Sequence, residues 1–478
     1  MAFTNPDLNP AMAEIALGIG ICVVLLADLF VSDRRRDVTL FISLAVLLVT
    51  GWFAGGIGAS GAVITFDGSF VADPLARVLK LCAILTVAVV FLYSRAYLKE
   101  RGVYKGEYYL LGLFALLGIQ VMISAYSMLT MYLGLEMLAL SMYALVAFDR
   151  ESPVAAEAAI KYFVLGAIAS GCLLYGISIV YGVTGSLLLP EINSALVGTG
   201  PEDIAILVGL AFILVGIAFK FGAVPFHMWL PDVYQGAPTC VTLFIGTVPK
   251  LAAIALAIRV LVDGLGPVAG TWEAMLAVLA VLSLGIGNVV AIAQTNIKRM
   301  LAYSTIGHVG FIFLGLLTGT QEGLRASLFY TIVYVLMAAA AFGIVILLSR
   351  RGFEAEELDD FKGLNQRSPW FAAMMLLVMV SMIGVPPLAG FYAKWWVLAS
   401  VIDAGHLWLA IIGVLFSVVG AFYYLRVIKL MYFDEAVDTQ GLQAPLDLRL
   451  ALSANAVLIL LLGLFPDRLI AICTQVFA

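Results

Sequence analysis

Five ionisable side chains lie inside stretches of sequence that are otherwise apolar. Glu136 lies in the middle of MYLGLEMLAL, and the other four are Lys161, Lys220, Lys250 and Lys394. An ionisable group is costly at the centre of a bilayer and is a functional hypothesis by default. Burial lowers the pKa of a lysine, so a buried lysine can release its proton near neutral pH, which an arginine cannot do. These residues predict a proton path with a switch in which Glu136 sets the proton affinity of Lys161.

Two histidines could extend this path, and simpler roles compete with it. His308 lies in an apolar stretch and could relay protons between lysines that are too far apart for direct transfer. His227 could equally relay protons or hold a helix break in place. Lys161 could instead extend its charged end to the membrane surface, or form an inert ion pair with Glu136. The three deeper lysines have no matching acid, which favours a functional role for them.

The composition requires a membrane protein. Of 478 residues, 63% are hydrophobic and 12% are charged, whereas an average soluble domain has about 25% charged residues. This composition excludes a soluble enzyme, a nucleic-acid-binding protein and a disordered chain. The five cysteines form no CxxC pair, the three histidines are scattered, and neither a P-loop nor a GxGxxG after a strand pattern is present. We predict that this chain holds no redox cofactor or metal and hydrolyses no nucleotide.

Fourteen apolar segments approach or exceed the length of a membrane span, which needs about 20 mainly apolar residues. We predict an all-α polytopic membrane protein with spans at 12–31, 37–55, 72–93, 108–124, 126–147, 157–183, 203–234, 239–262, 272–294, 301–318, 325–349, 369–400, 405–431 and 446–470. Two segments are too long for one span and contain proline, namely 203–234 with Pro225 and 369–400 with Pro386 and Pro387. Paired broken helices are typical of transport sites, although two kinked packing helices are an alternative.

The two breaks occupy equivalent positions in two sets of five spans. Each break lies in the fourth helix of its set, and GAVP at 222–225 weakly resembles GVPP at 384–387. Because five is odd, a duplicated unit must insert upside down, so we predict inverted repeats over spans 4–8 and 9–13. The predicted division is an N-terminal three-helix segment at 1–107, a first repeat forming a proton half-channel at 108–262, a second repeat at 272–431, and a C-terminal helix at 432–478.

Basic residues are concentrated in alternate loops. If both termini lie outside, the cytoplasmic loops hold Arg34, Arg35, Arg36, Arg95, Lys99, Arg101, Lys105, Arg150, Lys298, Arg299, Arg350, Arg351, Lys362 and Arg367. This asymmetry predicts fourteen spans in a bacterial cytoplasmic (inner) membrane, with both termini on the periplasmic side. Arg77, Lys80 and Arg259 lie near the outer ends of predicted spans, and we expect their charged ends to reach the membrane surface.

Five stretches resemble the antiporter-like proton-channel subunits of respiratory complex I (NADH–quinone oxidoreductase) and their relatives in multisubunit cation/proton antiporters. They are FKFGAVPFHMWLPDVYQGAPTCVTLFIGTVPK at 219–250, GLE at 134–136, KYFVLGAIASG at 161–171, TNIKRMLAYSTIGHVGF at 295–311 and GVPPLAGFYAKW at 384–395. Within this family, GAPTCVT and VPK are more similar to the subunit N branch than to subunits L and M. The resemblance covers nearly the whole chain.

The resemblance implies a function as well as a fold. It implies fourteen helices with two inverted repeats, and it assigns Glu136, Lys161, Lys220, Lys250 and Lys394 to proton translocation. It implies a translocase whose electrons pass from NADH to quinone in partner subunits that hold NAD, FMN, iron–sulfur clusters and quinone. The implied partners are other membrane subunits of complex I, antiporter-like and small, together with the lipid bilayer and no nucleic acid. A sodium/proton antiporter subunit and a structural membrane scaffold are the alternatives.

Overall fold

The chain folds into a bundle of long apolar helices. The computed structural model describes residues 6–32, 35–56, 61–198, 203–350, 352–436, 442 and 444–477. Within these ranges, thirteen helices are long and apolar enough to cross a membrane. Helices suit such a sequence because backbone polar groups in a bilayer must be satisfied within their own segment. The predicted all-α polytopic fold is confirmed, and Arg34 and Arg351 lie outside the described residues.

The described helices run in the following order. They are α1 Met12–Phe30, α2 Asp37–Gly56, α3 Pro74–Glu100, α4 Glu107–Ser124, α5 Met128–Val146, α6 Pro153–Thr184, α7 Leu189–Leu196, α8 Ile204–Phe221, α9 Trp229–Gly236, α10 Thr239–Ala257, α11 Ala269–Ile292, α12 Ile297–Leu316, α13 Gln321–Leu348, α14 Leu364–Arg367, α15 Pro369–Ile383, α16 Ala389–Asp403, α17 Leu407–Phe433, α18 Leu446–Leu464 and α19 Asp467–Val476. A π-helix, Ile258–Gly264, continues α10. Short 3-10 turns are formed by Asn9–Ala11, Gly266–Val268 and Leu358–Phe361.

Thirteen long helices leave one of the fourteen predicted spans to be explained. It is 369–400, the second broken helix. The predicted segment 369–400 forms α15 and α16, each of 15 residues. A helix of that length is about 22 Å long, which is shorter than the hydrocarbon core of a bilayer, so neither half crosses alone. The other broken segment forms α8, of 18 residues, and α9, of 8 residues. Thirteen long helices and one joined pair therefore correspond to the fourteen predicted segments.

The connecting loops meet at two opposite ends of the bundle. One end of the bundle, which we call the basic end, is formed by loops 101–106, 147–152, 237–238, 293–296 and 349–363. Contacts join these loops, such as the ion pair of Arg101 with Glu354 and the bridge of Asn296 to Glu357. Near the two ends of the chain, the Asp7 carbonyl accepts from Thr65 and the Phe477 carbonyl accepts from Arg325. These contacts lie at the opposite end of the bundle.

One short hairpin departs from the all-α prediction. Strands β1 Val63–Thr65 and β2 Phe70–Ala72 pair antiparallel between α2 and α3, with Ile64 opposite Val71. Gly68 in the turn has φ +86°, a conformation that glycine adopts without steric cost. Three-residue strands contain too few alternating positions for periodicity to predict them.

The centre of the bundle is formed by α10 and α13. Every residue of α10 is buried, and nearly all of α13 is buried as well. The peripheral helices α1, α2, α6 and α17 instead expose apolar side chains such as Leu29, Leu48, Ile168 and Val418. Exposed apolar surface on the outside and a buried helix in the middle are the arrangement expected in lipid. Lys250, on α10, therefore lies in the interior of the molecule.

Glycines allow the first two helices of each predicted repeat to pack closely. A Cβ on Gly118 of α4 would lie 2.7 Å from the carbonyl oxygen of Gly134 on α5. A Cβ on Gly287 of α11 would lie 2.6 Å from the backbone nitrogen of Gly307 on α12. Small residues at such contacts let membrane helices approach with their backbones almost touching. The same device at equivalent places supports the predicted correspondence of the two repeats.

Candidate proton-transfer site

The first break separates α8 from α9. The helix α8 ends at Phe221, and Gly222 follows in the left-handed conformation with φ +78°. A Cβ at Gly222 would lie 2.3 Å from the side chain of Leu230, so the position also needs the small residue. The bond from Val224 to Pro225 is cis, and the Val224 N–H donates to Ser283 Oγ over 3.0 Å. The predicted break at Pro225 is thus confirmed.

The second break has the same local geometry. The helix α15 ends at Ile383, and Gly384 follows with φ +89°. The bond from Pro386 to Pro387 is cis. In both breaks the left-handed glycine precedes the cis proline by three residues. The weak similarity of GAVP and GVPP in the sequence therefore reflects equivalent backbone structures.

A lysine donates to the last carbonyl before each break. Lys250 Nζ lies 2.6 Å from the carbonyl oxygen of Phe221, the last residue of α8. Lys394 Nζ lies 2.8 Å from the carbonyl oxygen of Ile383, the last residue of α15, and donates to Ser417 Oγ over 2.8 Å. The last carbonyls of a helix have no partner within it, and they carry partial negative charge. Each lysine thus supplies a hydrogen-bond donor to the last carbonyl of a helix that ends inside the bundle.

Lys220 and Glu136 belong to one site, which Ser170 links. Lys220 is buried and lines a cavity of about 20 Å³ together with Ser170, Tyr143 and Tyr162. Ser170 Oγ donates to the Glu136 carboxylate. A cavity of this size accommodates about one water molecule, which makes a hydrogen-bonded link between these groups possible.

The structure does not bring Lys161 to Glu136. Lys161 Nζ pairs with Asp232 Oδ2 and with Glu157 Oε1, each at 2.9 Å, and 45% of its side chain is exposed. On α6, the residue that contacts Glu136 is Ser170, which lies nine residues beyond Lys161. Nine residues of helix span about 13.5 Å, so Lys161 lies well toward the basic end. The ion pair of Glu136 with Lys161, one alternative that the sequence offers, is not formed in this structure, whereas the predicted effect of Glu136 on the proton affinity of Lys161 stays a prediction.

Asp232 is a charged residue that sequence reasoning missed. It lies on α9, just after the first break, and pairs with Lys161 of α6 and with Arg299 of α12 at 2.9 and 2.7 Å. The two cations belong to different predicted repeats, so Asp232 joins them through the short helix of the break. The sequence does contain a sign of this role, because Asp232 is an acid that follows directly after WLP in a segment that is otherwise apolar.

His308 lies in a hydrogen-bonded group of hydroxyls in the second half. Its Nδ1 is 2.7 Å from the Tyr330 hydroxyl, and its Nε2 is 3.0 Å from the Tyr424 hydroxyl. Tyr424 also contacts Ser304. A second cavity, of about 10 Å³, is lined by His308, Ser304, Tyr424 and Lys394. The geometry supports the predicted relay position of His308, because both ring nitrogens face groups that can give or take a proton.

His227 has a different environment. It lies in the first break, is half-buried, and its Nδ1 meets no hydrogen-bond partner among the described residues. A backbone hydrogen bond joins the Leu230 N–H to the His227 carbonyl. The main chain of His227 therefore helps to begin α9, while its imidazole makes no comparable chain of contacts.

Two residues expected at the membrane surface are buried instead. Lys80 has no exposed surface and pairs with Glu14 of α1 at 2.5 Å. Arg259 is 4% exposed and pairs with Asp73 at 2.7 Å and with Asp263 at 3.3 Å. The predicted snorkelling is wrong for both, because helices α1 and α3 bring acids against them. Sequence reasoning could not place Glu14 and Asp73, since it does not fix how neighbouring helices are rotated, whereas Asp263 lies only four residues from Arg259.

Comparisons with known proteins identify the family. The family described as NADH:quinone oxidoreductase/Mrp antiporter, TM, matches residues 125–420. NADH-quinone oxidoreductase subunit N of Thioalkalivibrio sulfidiphilus is 57% identical over 99% of both chains, and that of Nitrosomonas europaea is 52% identical over 99% of this chain and 98% of the relative.

Solved structures agree with these sequence relatives. A chain of respiratory complex I from Thermus thermophilus with bound aureothin is 32% identical with a TM-score of 0.81, covering 96% of this chain and 98% of that one. A chain of the membrane-bound sulfane sulfur reductase, an archaeal respiratory membrane complex, is 25% identical with a TM-score of 0.85, and 98% of each chain is covered. The fold, the paired breaks and these relatives together show that the chain belongs to the subunit N family of NADH-quinone oxidoreductase.

Proposed function

We propose that this chain, a membrane subunit of NADH-quinone oxidoreductase, translocates protons through the buried groups Lys220, Lys250 and His308 and the partly buried groups Glu136 and Lys394. The observation that carries the proposal is the shared site of Glu136, Ser170 and Lys220 beside a cavity of water size. Buried lysines suit proton transfer because loss of the proton removes the cost of burying a charge.

The charges supply a physical order for the first half of the path. When ionised, Glu136 and Lys220 carry opposite charges, whereas Lys220 and Lys250 carry like charges, and unlike charges attract while like charges repel. A change in the interaction of Glu136 with Lys220 would therefore be passed on to Lys250. Lys250 and Lys394 each also hold the carbonyl end of a broken helix, so a change of charge at either lysine acts on the break itself. This coupling lets a proton step change the structure around it.

We place Lys161 and His227 at supporting positions. Lys161 and Arg299 hold Asp232, and through it α9, at the basic end of the bundle. His227 lies within the same break. The predicted domain division is kept, with the first repeat at 108–262 and the second at 272–431, because the two breaks and the two glycine contacts correspond.

The partners follow from the family and from energetics. Moving one charge against a membrane potential costs about 2.3 kcal/mol per 100 mV, and we propose that electron transfer in partner subunits supplies this energy. Those subunits would hold NAD, FMN, iron–sulfur clusters and quinone, and the neighbours of this chain would be other membrane subunits of the complex. The basic end would face the cytoplasm of a bacterium, with both chain termini on the periplasmic side, as the basic loops predict.

The test is Glu136→Gln. Glutamine keeps the size of the side chain and can still bond to Ser170, but it carries no charge to act on Lys220. We expect the complex to assemble while NADH-driven proton pumping in inverted vesicles falls strongly. The matched control is Glu157→Gln, which removes an exposed acid beside Lys161 and should pump normally. Normal pumping by Glu136→Gln at normal subunit levels would refute the proposal and favour a scaffold.

A further inference from the structure

A partly buried acid at the basic end contacts the start of the central helix. Glu354 lies in the loop after α13, which is fastened across the bundle by backbone hydrogen bonds from Ile297 to Glu356 over 2.6 Å and from Leu358 to Thr295 over 2.8 Å. Only 17% of the Glu354 side chain is exposed. The loop therefore holds an acid in a fixed place, partly in contact with solvent and partly within the bundle.

The Glu354 carboxylate faces hydroxyl groups on its inner side. Tyr97 Oη of α3 lies 2.9 and 3.1 Å from its two oxygens, and Thr239 Oγ1 donates to it as well. Thr239 is the first residue of α10, and its N–H donates to the Tyr97 hydroxyl over 3.1 Å. A carboxylate that touches solvent on one side and two hydroxyls on the other can pass a proton between them.

Polar groups continue from Glu354 along one face of α10. Thr239, Thr242, Gly246 and Lys250 follow at spacings of three and four residues, which places them on the same face. A Cβ at Gly246 would lie 3.0 Å from the Phe342 ring and 3.4 Å from the Tyr234 hydroxyl, so this hydroxyl reaches the same face of α10 one turn before Lys250. Thr239 lies about 16 Å from Lys250 along the helix axis, and the hydroxyls of Thr242 and Tyr234 lie between them.

We propose that Glu354 collects protons at the basic end and delivers them along this face of α10 to Lys250, an inference that rests on the proton-translocating function proposed above. The carboxylate takes a proton from bulk water, forming one O–H bond. It then gives that proton to a hydroxyl or water on its inner side, which at the same time passes its own proton onward, so the group returns to the carboxylate and the neutral amine of Lys250 gains a proton at the end of the chain. No other reactant is needed, since only a proton moves.

The competing role for Glu354 is a purely structural ion pair. Arg101 at the end of α3 contacts the carboxylate directly. Lys298 of α12 is buried nearby and pairs with Glu356 at 2.7 Å. The titratable and charged groups around Glu354 are Tyr97 and Arg101 from α3, Cys240 from α10, Lys298 from α12, and Glu356 from its own loop. Removing the ion pair from either side separates the two roles.

The experiment compares Glu354→Gln with Arg101→Gln in inverted membrane vesicles that contain the whole complex. Both variants remove the same ion pair, but only the first removes the group that binds a proton. We expect Glu354→Gln to lower NADH-driven proton pumping by about tenfold, which is less than the roughly 10²–10⁴-fold typical of a proton-transfer group because water can bypass the residue in part. Arg101→Gln and the exposed loop variant Asp359→Asn should pump within about twofold of wild type. Equal losses in Glu354→Gln and Arg101→Gln would overturn the proposal.

A second readout responds to proton transfer and not to structure. A small weak acid such as formate can carry protons to the site, so we expect it to restore pumping in Glu354→Gln severalfold and to leave wild type unchanged. Absence of rescue would contradict the proposal. If Glu354→Gln does not assemble, Glu354→Asp and Glu354→Asn replace it, and equal pumping by these two would overturn the inference. Glu136→Gln in the same vesicles tests the proposed function separately.

Discussion

Replacing Lys250 with methionine distinguishes a lysine kept for stability from one kept for proton transfer. Lys250 is 1% exposed, and its Nζ donates to the Phe221 carbonyl over 2.6 Å. Methionine has similar length but neither charge nor donor. The variant therefore loses the hydrogen bond to the last carbonyl of α8. It also loses the amine that can bind and release a proton.

Two opposing terms set the expected stability. Leaving the buried Phe221 carbonyl without a donor costs about 1–3 kcal/mol. Removing a buried ammonium, by contrast, recovers a desolvation cost of several kcal/mol, and no acid is left unpaired because the structure gives Lys250 a carbonyl partner. It also ends the repulsion from Lys220. We expect the Lys250→Met complex to be at least as stable as wild type, while proton pumping is largely lost.

The assay measures thermal unfolding of the purified complex alongside pumping in inverted vesicles. Lys298→Met is the matched control for stability, because Lys298 is also 1% exposed but pairs with an acid, Glu356. Removing it breaks the ion pair with Glu356 and the hydrogen bond from Lys298 Nζ to the Ala237 carbonyl, so it should lower the unfolding temperature. The reasoning is refuted if Lys250→Met unfolds as early as Lys298→Met, or if it pumps like wild type.

Two further variants test the parts that position the path. Asp232→Asn removes the charge shared by Lys161 and Arg299, so we expect assembly with reduced pumping; a complex that pumps normally would show that this link between repeats is dispensable. Gly287→Val adds a side chain at a position where even a Cβ would lie only 2.6 Å from a backbone nitrogen of α12. We therefore expect the subunit level in membranes, measured by immunoblot, to fall severely. A normal level of this variant would contradict the close packing of α11 and α12.

The sequence identifies the chemistry of the site better than its contacts. Apolar length and proline place the spans and both breaks, and the cost of burying charge singles out Glu136 and the deep lysines. The partners depend on helix rotation and depth, which apolar periodicity does not fix when a helix is apolar on all sides. For that reason the sequence offers Glu136 as one possible partner of Lys161, whereas the structure pairs Lys161 with Asp232, 71 residues away.

The contacts at the breaks likewise could not be predicted from the sequence. Lys250 lies 29 residues from the Phe221 carbonyl that it satisfies, and nothing local to either residue indicates the contact. The pairing of Lys80 with Glu14 likewise requires α1 and α3 to meet. The glycines of the breaks were visible in GAVP and GVPP, but their left-handed conformation follows only from the way each helix ends.

The central claim is that the buried lysines must release protons and not merely supply positive charge. Lys220→Arg tests this most directly, because arginine keeps the charge and roughly the length but stays protonated even when buried. The measurement is dye-reported proton pumping together with NADH-driven quinone reduction in inverted vesicles, compared with Lys220→Ala and wild type at equal subunit levels. We expect Lys220→Arg to assemble and to pump as poorly as Lys220→Ala. Pumping at the wild-type rate by Lys220→Arg, with failure of Lys220→Ala, would show that a fixed charge suffices and would contradict the account.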